Sequence, residues 1–262
     1  IWELGEKHPV VDLTLFTRRN FWVGTVSLSL GYGVFFGNVV LLPLWLQQFM
    51  GYTATWAGFI MAPVGVLAIL ATPFVGKRVN TTDPRILSTI AFITFAVVLW
   101  MRSLFNTQVD ELTLLIPAFA QGIPMAFLFV PLMSLILMGL PPERIPAAAG
   151  LSNFVRITAG AFGTSIFTTL WESRATLHHA QLTETINNAS IPATQALSGF
   201  ATLGLSREQG LTYINHLIDQ QAFMLSANDI FYASAVLFLG LTAIIWLARP
   251  TRISNPLPIS SH

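Results

Sequence analysis

Residues 112–140 run without a formal charge and carry Pro117, Pro124 and Pro131, each seven residues after the last. In water that pattern would not hold a helix, because each proline removes a backbone donor and presses its ring against the preceding turn. In lipid no water competes for the backbone. A helix then remains the cheapest spanning structure, and kinks are tolerated where neighbours re-satisfy the freed carbonyls. Seven residues is about two helical turns, so the three prolines share roughly one face. The stretch reads as a bent membrane helix. A polar elbow, Pro141-Pro142-Glu143-Arg144, joins it to residues 147–171, a second stretch rich in Ala and Gly that carries one charge, Arg156.

Composition agrees with a polytopic membrane chain. Of 262 residues, 53% are hydrophobic and 10% charged, against about 25% charged in soluble domains. The net charge of +1 supplies no basic field for nucleic acid. The chain contains no cysteine, so disulfides, thiol nucleophiles and thiolate metal sites are excluded. It opens at Ile1 in a polar stretch without a leader pattern, and reads as a piece of something longer.

Hydropathy places six transmembrane helices, an all-α bundle, at about 21–48, 56–76, 86–104, 112–140, 147–171 and 229–248. Residues 1–20 read as a loop, 172–228 as a long polar connection with a helix-compatible stretch at 205–226, and 249–262 as a tail. With six spans both termini share a side. That side collects nine bases, Lys7, Arg18, Arg19, Lys77, Arg78, Arg85, Arg144, Arg249 and Arg252, against three on the other, Arg102, Arg174 and Arg207. The positive-inside bias makes the termini cytoplasmic and 172–228 extracytoplasmic. The third span is short unless Arg102, at its end, snorkels to the headgroups. Small residues four apart, Ala54/Gly58/Ala62 and Ala159/Gly163 with Gly160/Thr164, are expected as packing seams.

A charge at membrane depth marks a pathway or a buried partner. No acid lies in the interior of any of the six spans, Asp229 being the first residue of the sixth, so Arg156 needs a carbonyl, a polar side chain such as Asn153 or Gln121, or a group on another polypeptide. Two readings stand for it: a headgroup anchor, or a gating and substrate-contacting residue. Asn38 and Gln121 are the other strong polar groups at depth. Tyr32, Phe35, Phe36, Phe127, Phe129 and Phe154 with Met61 and Met125 form an aromatic and Met set able to re-pack around varied apolar ligands. The short loop holding Gly76, Arg78, Asp83 and Arg85 reads either as topology-setting charge or as a charge latch. His178-His179 diverge by about 100° on a helix and do not chelate a metal from one face. Phosphate loops, nucleophile elbows and zinc-protease signatures are missing, so no catalytic set is proposed and the chain is read as a non-enzyme.

Several stretches resemble one family. Gly51-Tyr52-Thr53-Ala54-Thr55-Trp56-Ala57-Gly58, Ala62-Pro63-Val64-Gly65, Gly139-Leu140-Pro141-Pro142-Glu143-Arg144 and Leu151-Ser152-Asn153-Phe154 look like stretches of the EmrB/QacA group of drug:proton antiporters. The run from His178 to Glu184 and the segment Ser226-Ala227-Asn228-Asp229-Ile230-Phe231 resemble the EmrB-like inner-membrane pumps of Gram-negative bacteria. The resemblance implies the C-terminal six-helix bundle of a fourteen-helix major facilitator protein. It implies export of hydrophobic toxic compounds against proton entry, the proton motive force in place of a cofactor, and an N-terminal half carrying the coupling acids. It also implies a periplasmic adaptor and an outer-membrane channel as partners, and makes Gly76–Arg85 similar to the second copy of the superfamily's cytoplasmic loop motif. The cavity candidates are Tyr32, Phe35, Asn38, Met61, Gln121, Met125, Phe129, Asn153 and Arg156. The runner-up is a non-transporting six-helix scaffold whose external segment recruits a partner.

Overall fold

The computed structural model describes residues 12–79, 81–184 and 191–249. Most of the expected terminal loop, 1–11, and of the tail, 250–262, lies outside the described residues. What is described is helical: α1 (Arg19–Gln48), α2 (Ala54–Met61), α3 (Pro63–Val79), α4 (Pro84–Arg102), α5 (Glu111–Ala120), α6 (Gly122–Leu137), α7 (Ile145–Glu184), α8 (Ile191–Thr202) and α9 (Arg207–Ile245). Five helical stretches are long and apolar enough to cross a membrane: α1, α2–α3 together, α4, α5–α6 together and α9. At 40 residues α7 has ample length, but Ser152, Asn153, Arg156 and its glycines dilute its hydropathy.

Two of the expected spans are broken helices. The second divides at Ala62-Pro63, where proline cannot donate to the preceding turn. The fourth divides at Gln121, three residues before Pro124, whose missing N–H leaves the Ala120 carbonyl without its ordinary helical donor. Pro117, Pro124 and Pro131 are all buried, so the shared face expected for them is turned inward.

The connection expected at 172–228 is mostly helix. Residues 172–184 continue α7, and α9 begins at Arg207, far upstream of the expected 229. Ser206 caps α9: its hydroxyl accepts from the Gln209 N–H while the Gln209 side chain accepts from the Ser206 N–H. Hydrophobicity marks where a chain enters lipid, not where a helix starts. Polar residues on an extramembrane extension carry no such mark.

α1 is the central post. Its Phe21, Leu28, Leu41, Trp45 and Leu46 are fully buried, and it packs most extensively on α7, then on α6 and α9. The α1–α7 crossing is backbone on backbone. A Cβ on Gly33 would lie 2.8 Å from the Ala159 carbonyl oxygen, and one on Gly163 would fall on the Gly33 carbonyl. The Ala159/Gly163 seam is therefore used here. The Ala54/Gly58/Ala62 seam is not: all three face outward, and nothing lies within 4 Å of the Cβ position of Gly58. α4 and α9 are joined by Phe95 stacked on Phe238 at 4.7 Å. α2 and α3 stand at the rim, with Trp56, Phe59, Ile69, Leu70 and Phe74 exposed.

Candidate functional site

The functional candidates sort into one cluster and several residues committed elsewhere. The cluster is built on Arg156, in the first third of α7. Its guanidinium lies 4.4 Å from the Tyr32 ring centre on α1 and 4.9 Å from that of Phe129 on α6. One Nη donates to Asn153, a turn earlier on the same helix. Gly160 makes room for Tyr32, since a Cβ there would come within 3.2 Å of the ring. Tyr32 leans in turn on Phe36 at 4.6 Å.

Four of the nine cavity candidates, Tyr32, Phe129, Asn153 and Arg156, thus converge from three helices. The cation sits between two π faces, each such contact worth about 0.5–2 kcal/mol as desolvation increases. Among the described residues no carboxylate pairs with it, and its Nε has no hydrogen-bond partner. The cluster opens outward beside Phe154 and Ile157, which are exposed. An apolar wall with one half-covered cation can hold a hydrophobic molecule and present a single charge to it.

The other candidates lie apart. Asn38 is buried and donates to the Val34 carbonyl at 2.7 Å and to the Ser234 hydroxyl at 2.9 Å, tying α1 to α9. Phe35 is buried against Phe36 and Phe95. Met61 and Met125 are half-buried and pack on the main core. Gln121 does not reach Arg156; its side-chain oxygen accepts from Arg102. Arg102 itself does not snorkel. It is wholly buried, because its stem turns inward to the one strong acceptor that the helix break provides. No periodicity distinguishes an arginine curled into a bundle from one reaching for headgroups, so sequence reasoning missed it.

At the basic end, Asp83 caps α4 and holds Arg85 in a close ion pair at 2.7 Å. Arg85 also donates to the Ala248 carbonyl at 3.1 Å and lies 5.0 Å from the Trp246 ring centre. This clasps the start of α4 to the end of α9. Burial pushes the Asp83 carboxyl up, but the hydrogen bonds and charge of Arg85 outweigh it and hold the group below its ordinary range. Gly76 and Arg78 stand exposed and outside this clasp.

At the opposite end, α7 and α9 form a polar-sided hairpin. Asp229 receives Arg174 at 2.6 Å and His178 at 2.8 Å, and His179 reaches Asp219 at 3.4 Å. The adjacent histidines thus go to different acids on α9. Trp171 anchors the hairpin's base: its indole N–H donates to the Phe223 carbonyl at 3.0 Å, and its ring packs against Phe49 and Phe223.

The family model for the Major Facilitator Superfamily matches residues 3–164. The multidrug export protein EmrB of Escherichia coli (strain K12) is 44% identical over 251 residues, which cover 95% of this chain and 49% of that protein. The fatty acid resistance protein FarB of Neisseria gonorrhoeae is 42% identical over 250 residues, again 95% and 49%. The probable multidrug resistance protein EmrY of Escherichia coli (strain K12) is 39% identical over 252 residues, with the same coverage. The chain spans about half the length of these curated relatives.

Proposed function

We propose a function from one premise: the chain belongs to the Major Facilitator Superfamily, and it is similar to drug-exporting members of it. It is a multi-pass membrane protein. On our reading it is the C-terminal half of a proton-coupled efflux transporter that carries hydrophobic toxic compounds out across a bacterial inner membrane by alternating access. The observation that carries the reading is the Arg156 cluster, a cation held by Tyr32 and Phe129 on an otherwise apolar wall. Substrate would rest against that wall near the midplane, between this bundle and the N-terminal half.

The remaining assignments follow the same reading. The basic end with the Asp83–Arg85 clasp faces the cytoplasm, and the α7–α9 hairpin faces the periplasm, where an adaptor leading to an outer-membrane channel would meet it. No acid lies at depth in these helices, so proton coupling falls to the other half. The likeness to export proteins gives the scaffold reading no support.

Efflux of a hydrophobic dye from cells expressing the native polypeptide, with Arg156→Ala compared at equal membrane abundance, tests the proposal. Efflux is expected to fall about tenfold, the loss of roughly 1.4 kcal/mol of contact to the bound compound. Unchanged efflux would leave Arg156 as an anchor and remove the cluster as the site.

A further inference from the structure

Arg102 has no part in the reading above, yet it is a poorly satisfied buried charge. It is wholly buried, and its partner is a neutral amide. Its Nε and Nη1 find no acceptor among the described residues. A guanidinium taken out of water is stabilised well only when an opposite charge and further acceptors surround it. Here the arrangement is under-satisfied, in a chain that could have met it with a glutamate at position 121.

The place of that one bond matters. Gln121 is the residue between α5 and α6, and it too is buried. On its other side, Gly122 is pressed onto α3: a Cβ there would lie 2.6 Å from the Val64 carbonyl oxygen and 2.7 Å from the Ala68 nitrogen. The joint is therefore gripped at two points, by α3 through close backbone packing and by α4 through Arg102. Pro124 weakens the helix between them. Eight residues beyond Gln121, about 12 Å along α6, Phe129 supplies one of the two rings that hold Arg156.

We propose that Arg102 is a positioning residue for transport, whose bond to Gln121 locks the α5–α6 joint and so keeps Phe129 over Arg156. The proposal rests on the transport reading above. A neutral partner makes the lock breakable. The bond is assisted by one charge alone and lacks the mutual attraction of an ion pair, and the Ala120 carbonyl freed by Pro124 offers a second acceptor to Arg102 when Gln121 lets go. Release allows α6 to swing about the Gly122 contact, separating Phe129 from the cation.

Spin labels at Leu112→Cys on α5 and Val130→Cys on α6, both exposed positions, report the bend of the joint. They are placed in the native polypeptide freed of any other cysteines, and electron–electron distances are measured with and without a hydrophobic substrate. Gln121→Glu, which converts the lock into an ion pair, is expected to narrow the distances to one population. It should also lower the maximal efflux rate about tenfold at unchanged substrate KM. Arg102→Gln is expected to broaden the distances in the opposite sense, and if that variant fails to reach the membrane, Gln121→Ala reads the same release from the other side. The lock is refuted if the strengthening and releasing variants leave the distances as in the parent, or move them the same way. Opposed shifts in the variants of a parent that exports nothing would overturn the transport reading and leave the lock standing.

Discussion

The α1–α7 crossing permits a sharp test, because its glycines can be compared with glycines that touch nothing. In Gly33→Ala the new methyl would lie 2.8 Å from the Ala159 carbonyl oxygen and 3.5 Å from its carbon. Both atoms belong to backbone in the middle of a long helix, so neither can rotate away. The helices must part by several tenths of an ångström along a contact shared with Gly163. Overpacking of this kind costs about 1–3 kcal/mol. Alanine returns about 0.8–1 kcal/mol of helix propensity, leaving a net destabilisation of about 0–2 kcal/mol. At Gly65, nothing lies within 4 Å of the Cβ position, so Gly65→Ala keeps the propensity gain alone. The two variants should therefore differ by about 1–3 kcal/mol. Thermal unfolding of the purified native polypeptide in detergent, followed by tryptophan fluorescence, should show Gly33→Ala melting several degrees below Gly65→Ala. Equal midpoints, or the reverse order, would refute the claim that α1 and α7 meet backbone to backbone.

Trp171→Phe keeps the ring contacts with Phe49 and Phe223 but removes the N–H bond to the Phe223 carbonyl; we expect a loss of about 1 kcal/mol and faster amide exchange at the hairpin base, read by mass spectrometry. For the basic end, the sign follows from the carboxyl of Asp83 lying below its ordinary value of 3.8. Its contribution is fully present above that value and is lost as pH falls through the lower, folded-state value. Asp83→Asn keeps the helix cap, should weaken the clasp by about 1 kcal/mol at neutral pH, and should flatten the stability profile below pH 4. An acid profile identical to the parent's would show that the Arg85 pair contributes nothing.

How much of this was legible beforehand depends on which physical signal each element carries. That Pro117, Pro124 and Pro131 share one face followed from their spacing; that the face is turned inward did not, because spacing fixes a common side and not its neighbours. The Ala159/Gly163 seam followed from residue size. Ala54/Gly58/Ala62 has the same pattern but faces outward, since small residues permit close approach without supplying a neighbour. Arg156 was picked out by the rarity of charge at depth, and Asn153 by its place one turn away. That Tyr32 and Phe129 would be the rings enclosing the cation, and not Phe35 or Phe36, depends on how α1, α6 and α7 cross, which no local pattern encodes. The inward turn of Arg102 and the pairing of His178 and His179 with separate acids on α9 are long-range facts of the same kind. The full length of α7 and α9 was hidden for another reason: hydropathy falls at the membrane surface while the helix does not.

That last feature has mechanical content. α7 is an unbroken 40-residue rod, about 60 Å long, clamped to its neighbour near Gly163. From that fulcrum the rod extends about 32 Å to Glu184, while Arg156 lies only about 10 Å away on the other arm. A tilt of about 5° moves the far tip by roughly 3 Å and the cation by less than about 1 Å in the opposite direction, by the same rise per residue. On that geometry a small displacement at Arg156 is amplified about threefold at the projecting hairpin, and a pull on the hairpin reaches Arg156 reduced by the same ratio. The polar extension makes α7 a lever with its short arm at the candidate site and its long arm outside it.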